Sequence, residues 1–125
     1  MAARQLSLTE ADRTIGEELA DWGKVALLET TGRISGMPVR NAVGFIEGDD
    51  ASLTIAAGTD ESDWALNLRA HPTCRATIGE RVRAYEAHEI DGPDRSSALR
   101  ELILKYGTPA ERLGHGPVFR LTESP

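Results

Sequence analysis

Cysteine is almost missing from this chain: Cys74 is the single one in 125 residues, so no intrachain disulfide can form and a disulfide-stapled scaffold is excluded. Its place in an alternating apolar pattern marks it as a small buried hydrophobe rather than a nucleophile. Long apolar runs are missing too. No stretch approaches the roughly 18 uncharged residues of a membrane span, and Met1 to Ser7 lacks the apolar core of a signal peptide, so a cytoplasmic protein is expected. Positive charge is in deficit, with 14 Lys and Arg against 20 Asp and Glu. The resulting field repels phosphate backbones and anionic lipid, which argues against nucleic acid as a partner.

Several chemical signatures are lacking as well. His71, His88 and His115 fall in different elements without paired metal-ligand spacing, and no metal is expected. There is no Gly-x-Gly-x-x-Gly and no serine in a nucleophile elbow, so dinucleotide-binding and hydrolase readings fall away.

What remains is the composition of an ordinary globular domain, 40% hydrophobic and 27% charged, read as one domain over 1–125. Ser7 and Glu10 have the spacing of a capping box. Leu8, Ala11, Ile15, Leu19 and Trp22 then form a stripe, predicting a helix over about 7–22. Strands follow at Lys24–Thr30, Val39–Ile46 and Leu53–Ala57, then a short helix within Asp60–Pro72. A hairpin from Cys74 to Ile90 turns at Gly79-Glu80, a helix opens near Pro93 and ends at Gly107, and Pro117–Leu121 reads as a last strand. Hairpin-length connections rule out strict βαβ alternation. The expected fold is mainly β, of the α+β type: a split β-barrel of about six mostly antiparallel strands with three covering helices.

One loop stands out. Thr30-Thr31-Gly32-Arg33-Ile34-Ser35-Gly36-Met37-Pro38-Val39-Arg40 sets two glycines and two arginines between apolar strands. Gly32 and Gly36 allow backbone N–H groups to converge on an anion, with Arg33 and Arg40 adding charge. A plain glycine-rich turn is the alternative. Arg69, Arg81 and Arg83 are further candidates for a local basic cluster.

Leu28-Glu29-Thr30-Thr31-Gly32-Arg33, Ser35-Gly36, Pro38, Val43-Gly44-Phe45, Trp64, Asn67 to Pro72, and Pro117 to Leu121 together resemble the deazaflavin-dependent nitroreductase family, over about Val25 to Leu121. The resemblance implies a split barrel, typically actinobacterial, that uses reduced coenzyme F420, an 8-hydroxy-5-deazaflavin, to pass hydride to quinones, nitro compounds or activated alkenes. It also implies the site. Arg33, Ser35, Gly36 and Pro38 would form the phosphate segment, Arg40 and Asn41 would also bind the coenzyme, Ala56, Ala57 and Gly58 would lie along the ring, and Trp64 and Asn67 would flank it. Trp64 equally suits a core anchor, and Asn67 a solvent-facing or capping amide.

Where family members place basic residues, this chain has Ile34, Met37 and Val39. That motivates an alternative: a cofactor-independent barrel that binds or rearranges a small hydrophobic ligand. Flavin mononucleotide or haem would also suit the architecture. Tyr85, Tyr106 and His115 are candidate proton donors. A small-molecule substrate is expected, in a monomer or a homodimer.

Overall fold

The computed structural model describes residues 23–107 and 116–124. The expected helix over 7–22 and His115 lie outside the described residues. Strands β1 (Ala26–Thr31), β2 (Pro38–Val43), β3 (Ile46–Glu47) and β4 (Leu53–Ala56) precede helix α1 (Asp63–Ala70). Strands β5 (Thr73–Ile78) and β6 (Arg81–Ile90), helix α2 (Gly92–Tyr106) and strand β7 (Val118–Glu123) complete the described chain. One seven-stranded sheet runs β2-β1-β5-β6-β7-β4-β3, with every pairing antiparallel. The sheet curls into the expected split barrel.

The strand expected over Val39–Ile46 is in fact two strands. Strand β2 stops at Val43, and β3 starts after only Gly44 and Phe45, yet β2 and β3 occupy opposite edges of the sheet. Two residues can join opposite edges only if the sheet curls until those edges meet. The seam is held from α2. The Tyr106 hydroxyl accepts the Phe45 N–H at 3.0 Å and donates to the Lys24 carbonyl at 2.8 Å. Lys105 donates to the Phe45 carbonyl at 2.7 Å, with its ammonium 3.6 Å from the Phe45 ring centre. A side chain at Gly44 would begin 3.0 Å from the Tyr106 ring, which is why the smallest residue sits at the corner.

Alternation decides what faces inward. Along β1, Ala26, Leu28 and Thr30 are buried while Leu27, Glu29 and Thr31 are only partly so. Helix α1 lies on this concave side and contributes Trp64, Ala65 and Leu68 to a core that includes Leu28, Leu53, Ile55, Phe119 and Leu121. Fully burying a large aliphatic side chain contributes about 1.5–3 kcal/mol. A second cluster, Ala56, Ala98, Leu102 and Val118, seats α2. Helix α1 is shorter than the Asp60–Pro72 segment because Pro72 blocks its continuation and His71 is already extended.

Candidate functional site

The loop between β1 and β2 is held in shape by its own backbone. The Gly32 N–H bonds the Met37 carbonyl and the Gly36 N–H bonds the Gly32 carbonyl, both at 2.8 Å. The Met37 N–H reaches Ser35 Oγ at 3.1 Å. Gly36 adopts φ +72°, a conformation that favours glycine, and a Cβ at Gly32 would come within 2.5 Å of Ser35 Oγ. These bonds, with that of Arg33 below, consume most of the N–H groups expected to converge on an anion. Among the described residues, no acceptor engages the amides of Ile34 and Ser35.

Asn67 fixes the loop to α1. Its side-chain oxygen accepts the Arg33 backbone N–H at 3.1 Å and the Arg33 Nη1 at 2.9 Å, while its Nδ2 donates to Thr30 Oγ1 at 3.2 Å. Asn67 and Thr30 are each 2% exposed, so these bonds satisfy polar groups that would be costly to bury alone. The solvent-facing reading of Asn67 is therefore corrected: the amide is an interior tie. The Arg33 guanidinium also meets the Asp63 carboxylate at 3.3 Å.

The other expected site residues separate. Arg40 points to the opposite face of β2 from Asn41 and bonds Glu29 at 3.1 Å, away from the α1 side that holds Arg33. Asn41 shares the inward face with Val39 and Val43, and its buried Oδ1 has no hydrogen-bond partner among the described residues. Ala56 and Ala57 are buried at the end of β4, where the Ala57 N–H bonds the Pro117 carbonyl at 2.9 Å, and Gly58 follows half-buried. Trp64 is buried against Phe119, ring centres 6.0 Å apart, and serves as a core anchor.

Tyr85 is buried in the core, which pushes its phenol above the ordinary range. The Tyr106 hydroxyl is committed to the barrel seam. Burial raises the Cys74 thiol to about 12, in keeping with an inert hydrophobe. No cluster of His, Cys, Asp or Glu suited to a metal occurs among the described residues.

Three residues that the sequence reading passed over belong to this region. Thr30 and Asp63 partner Asn67 and Arg33. Arg75, with Thr31, Thr73, Gly36 and Pro38, lines a cleft of about 350 Å³ beside the loop. Strand parity places Thr30 inward, but nothing in the linear pattern brings α1 or β5 beside it.

A family model described as F420H(2)-dependent quinone reductase matches residues 3–112. The chain belongs to that family. Its coenzyme, F420, is the deazaflavin implied by the sequence resemblance. A solved F420-H2 dependent reductase, FDR-A, is 23% identical with TM-score 0.67, the match covering 79% of this chain and 94% of that one. Another structure, described as a domain-swapped dimer, is 22% identical with TM-score 0.67 over 91% and 98% of the two chains. HutZ, a haem storage protein of Vibrio cholerae, is 15% identical with TM-score 0.69 over 87% of each. At these identities the solved structures show the shared barrel, while the family model shows kinship with the F420H(2)-dependent quinone reductases.

Proposed function

We propose that this protein is an F420H2-dependent reductase that passes hydride to a quinone, a nitro compound or an activated alkene. The observation that carries this reading is the Arg33–Asn67 tie, which presents a pre-positioned guanidinium and the open Ile34 and Ser35 amides on one loop. That donor set suits a phosphodiester. The buried, unpartnered Oδ1 of Asn41 is an acceptor that suits an imide N–H or a hydroxyl, both of which the coenzyme carries.

When bound, the coenzyme supplies the hydride, and this chain's residues position it and exclude water. The Arg33 guanidinium and the open amides of Ile34 and Ser35 would hold the phosphate, with Gly36 and Pro38 shaping the loop, Asn41 would orient the ring or its ribityl chain, and Ala56, Ala57 and Gly58 offer a flat strand end. With Tyr85 buried and Tyr106 bonded at the seam, neither phenol is placed to give the proton that completes the reduction. Ile34 and Met37, 91% and 64% exposed, add no charge to the loop. The cofactor-free alternative drawn from them is less well supported than the family kinship and the orphaned Asn41 acceptor.

Titration of the purified chain with F420, followed by coenzyme fluorescence, tests this reading. Binding is expected, with Arg33→Ala weakening it at least about tenfold through loss of charge-assisted bonds. Arg40→Ala, on the other face, is expected to change it less than about twofold. No binding at tens of micromolar overturns the proposal.

A further inference from the structure

Arg95 sits where a helix gains nothing from a positive charge. It lies in the first turn of α2, its N–H bonding the Asp91 carbonyl at 3.3 Å, at the end that already carries the positive pole of the helix. Its use lies in tertiary structure. The half-buried side chain crosses to the Gly116 carbonyl, to which Nη2 donates at 2.8 Å over 21 positions of sequence.

Gly116 is built into the end of β4. A Cβ there would fall on the Ala57 carbonyl and 2.8 Å from the Thr59 nitrogen, so only glycine lets the two backbones lie this close. The next residue extends the contact. The Pro117 carbonyl accepts the Ala57 N–H at 2.9 Å, one step beyond the Ala56–Val118 pair that ends the β4–β7 ladder. Helix α2 is seated on that same pair through Ala98 and Leu102. Gly116 has no side chain with which to keep its position, so its carbonyl is the handle and Arg95 holds it. One residue further along β4, a Cβ at Gly58 would meet nothing within 4 Å among the described residues. The strand end is clasped at Ala57 and open at Gly58.

We propose that Arg95 is a positioning residue for the reduction: by holding Gly116 on Ala57 it fixes the strand end of Ala56, Ala57 and Gly58 beside which the coenzyme's ring would lie, without touching the coenzyme. The proposal rests on the F420 reading and extends it to a helix outside the loop and the strand end. A misplacement of about 1 Å at a reacting centre costs on the order of a hundredfold in rate. A loosened strand end therefore lowers turnover more than affinity, because the Arg33 loop still holds the phosphate.

The test compares wild type with Arg95→Met, Arg95→Lys and, as a control, Arg100→Met, an exposed arginine of the same helix. Amide exchange is followed by NMR in the free protein, F420 affinity by fluorescence, and kcat and KM with reduced F420 and a soluble quinone. In Arg95→Met the Ala57 N–H is expected to exchange at least about tenfold faster while amides of β5 and β6 keep their wild-type rates. Its kcat is expected to fall about tenfold, with F420 affinity changed less than about threefold. Arg95→Lys should recover part of both effects, and Arg100→Met should match wild type. If Arg95→Met does not fold, Arg95→Gln, with a shorter polar side chain, gives the same comparison. Unchanged Ala57 exchange or unchanged kcat overturns the role. Faster exchange across the whole sheet overturns it too, by making Arg95 a general stabiliser, as does a loss of F420 affinity as large as the loss of kcat, which makes it a coenzyme contact. Failure of wild type to bind F420 overturns the coenzyme reading and the positioning role together, while the exchange of Ala57 still reports whether Arg95 holds the strand end.

Discussion

The side-chain oxygen of Asn67 accepts two hydrogen bonds from one residue, the backbone N–H of Arg33 at 3.1 Å and its guanidinium at 2.9 Å, across 34 positions of sequence. One buried amide thus fixes both where the loop starts and where its charge lies. The opposite end of that amide holds Thr30, so helix, strand and loop share a single polar junction.

Asn67→Ala removes the acceptor for both Arg33 bonds and leaves the buried Thr30 hydroxyl without its donor. A loss of about 2 kcal/mol in unfolding free energy is expected, measured by urea denaturation. Coenzyme affinity is expected to fall as well, because a freed guanidinium must be ordered again on binding. Unchanged stability would show that the junction does not hold the loop.

Tyr106→Phe keeps the ring that fills the Gly44 corner and deletes only the hydroxyl. Since that hydroxyl satisfies the Phe45 N–H and the Lys24 carbonyl, destabilisation of about 1–2 kcal/mol is expected, seen as a lower thermal midpoint. Turnover per folded molecule should hold. A large fall in kcat with intact stability would instead make Tyr106 a proton donor.

Cys74 is expected to resist alkylation by iodoacetamide at pH 8 in the native protein and to react once urea exposes it. Burial holds its thiol near 12, so almost none is thiolate at that pH. Rapid native labelling would contradict the packed position on β5.

Arg69 bonds both oxygens of Glu89 at 2.9 Å, which lowers the Glu89 carboxyl below its ordinary 4.5. The sign follows: this pair stabilises the fold above the ordinary carboxylate range and its contribution fades as pH falls through the lowered value. Both groups are substantially exposed, so the stability effect should be small, and the clearer readout is the carboxyl titration by NMR. In Arg69→Met the Glu89 midpoint is expected to move back up towards the ordinary value.

Local chemistry was legible because it depends on near neighbours. Alternation marked the strands, Gly79-Glu80 marked the hairpin turn, and Pro72 marked the end of α1. The loop from Thr30 to Arg40 was visible from its glycines alone, and its shape follows from them. The split between β2 and β3 was not legible. Val39 to Ile46 carries strand-forming residues throughout, and the break at Gly44 arises from contact with Tyr106, 62 positions away by numbering.

The same division runs through the site. Period-two geometry already puts Arg40 and Asn41 on opposite faces of one strand, and the order of residues alone excludes a disulfide framework and a Rossmann fingerprint. Which face is concave, however, depends on where α1 packs and how far the sheet curls. Those long-range contacts made Asn67 an interior tie rather than a surface amide and Trp64 a core anchor. They left Asn41 Oδ1 buried without a partner among the described residues and turned Arg75 into a cation beside the loop. Spacing along a chain fixes local conformation, but burial and charge pairing are set by which distant segments meet.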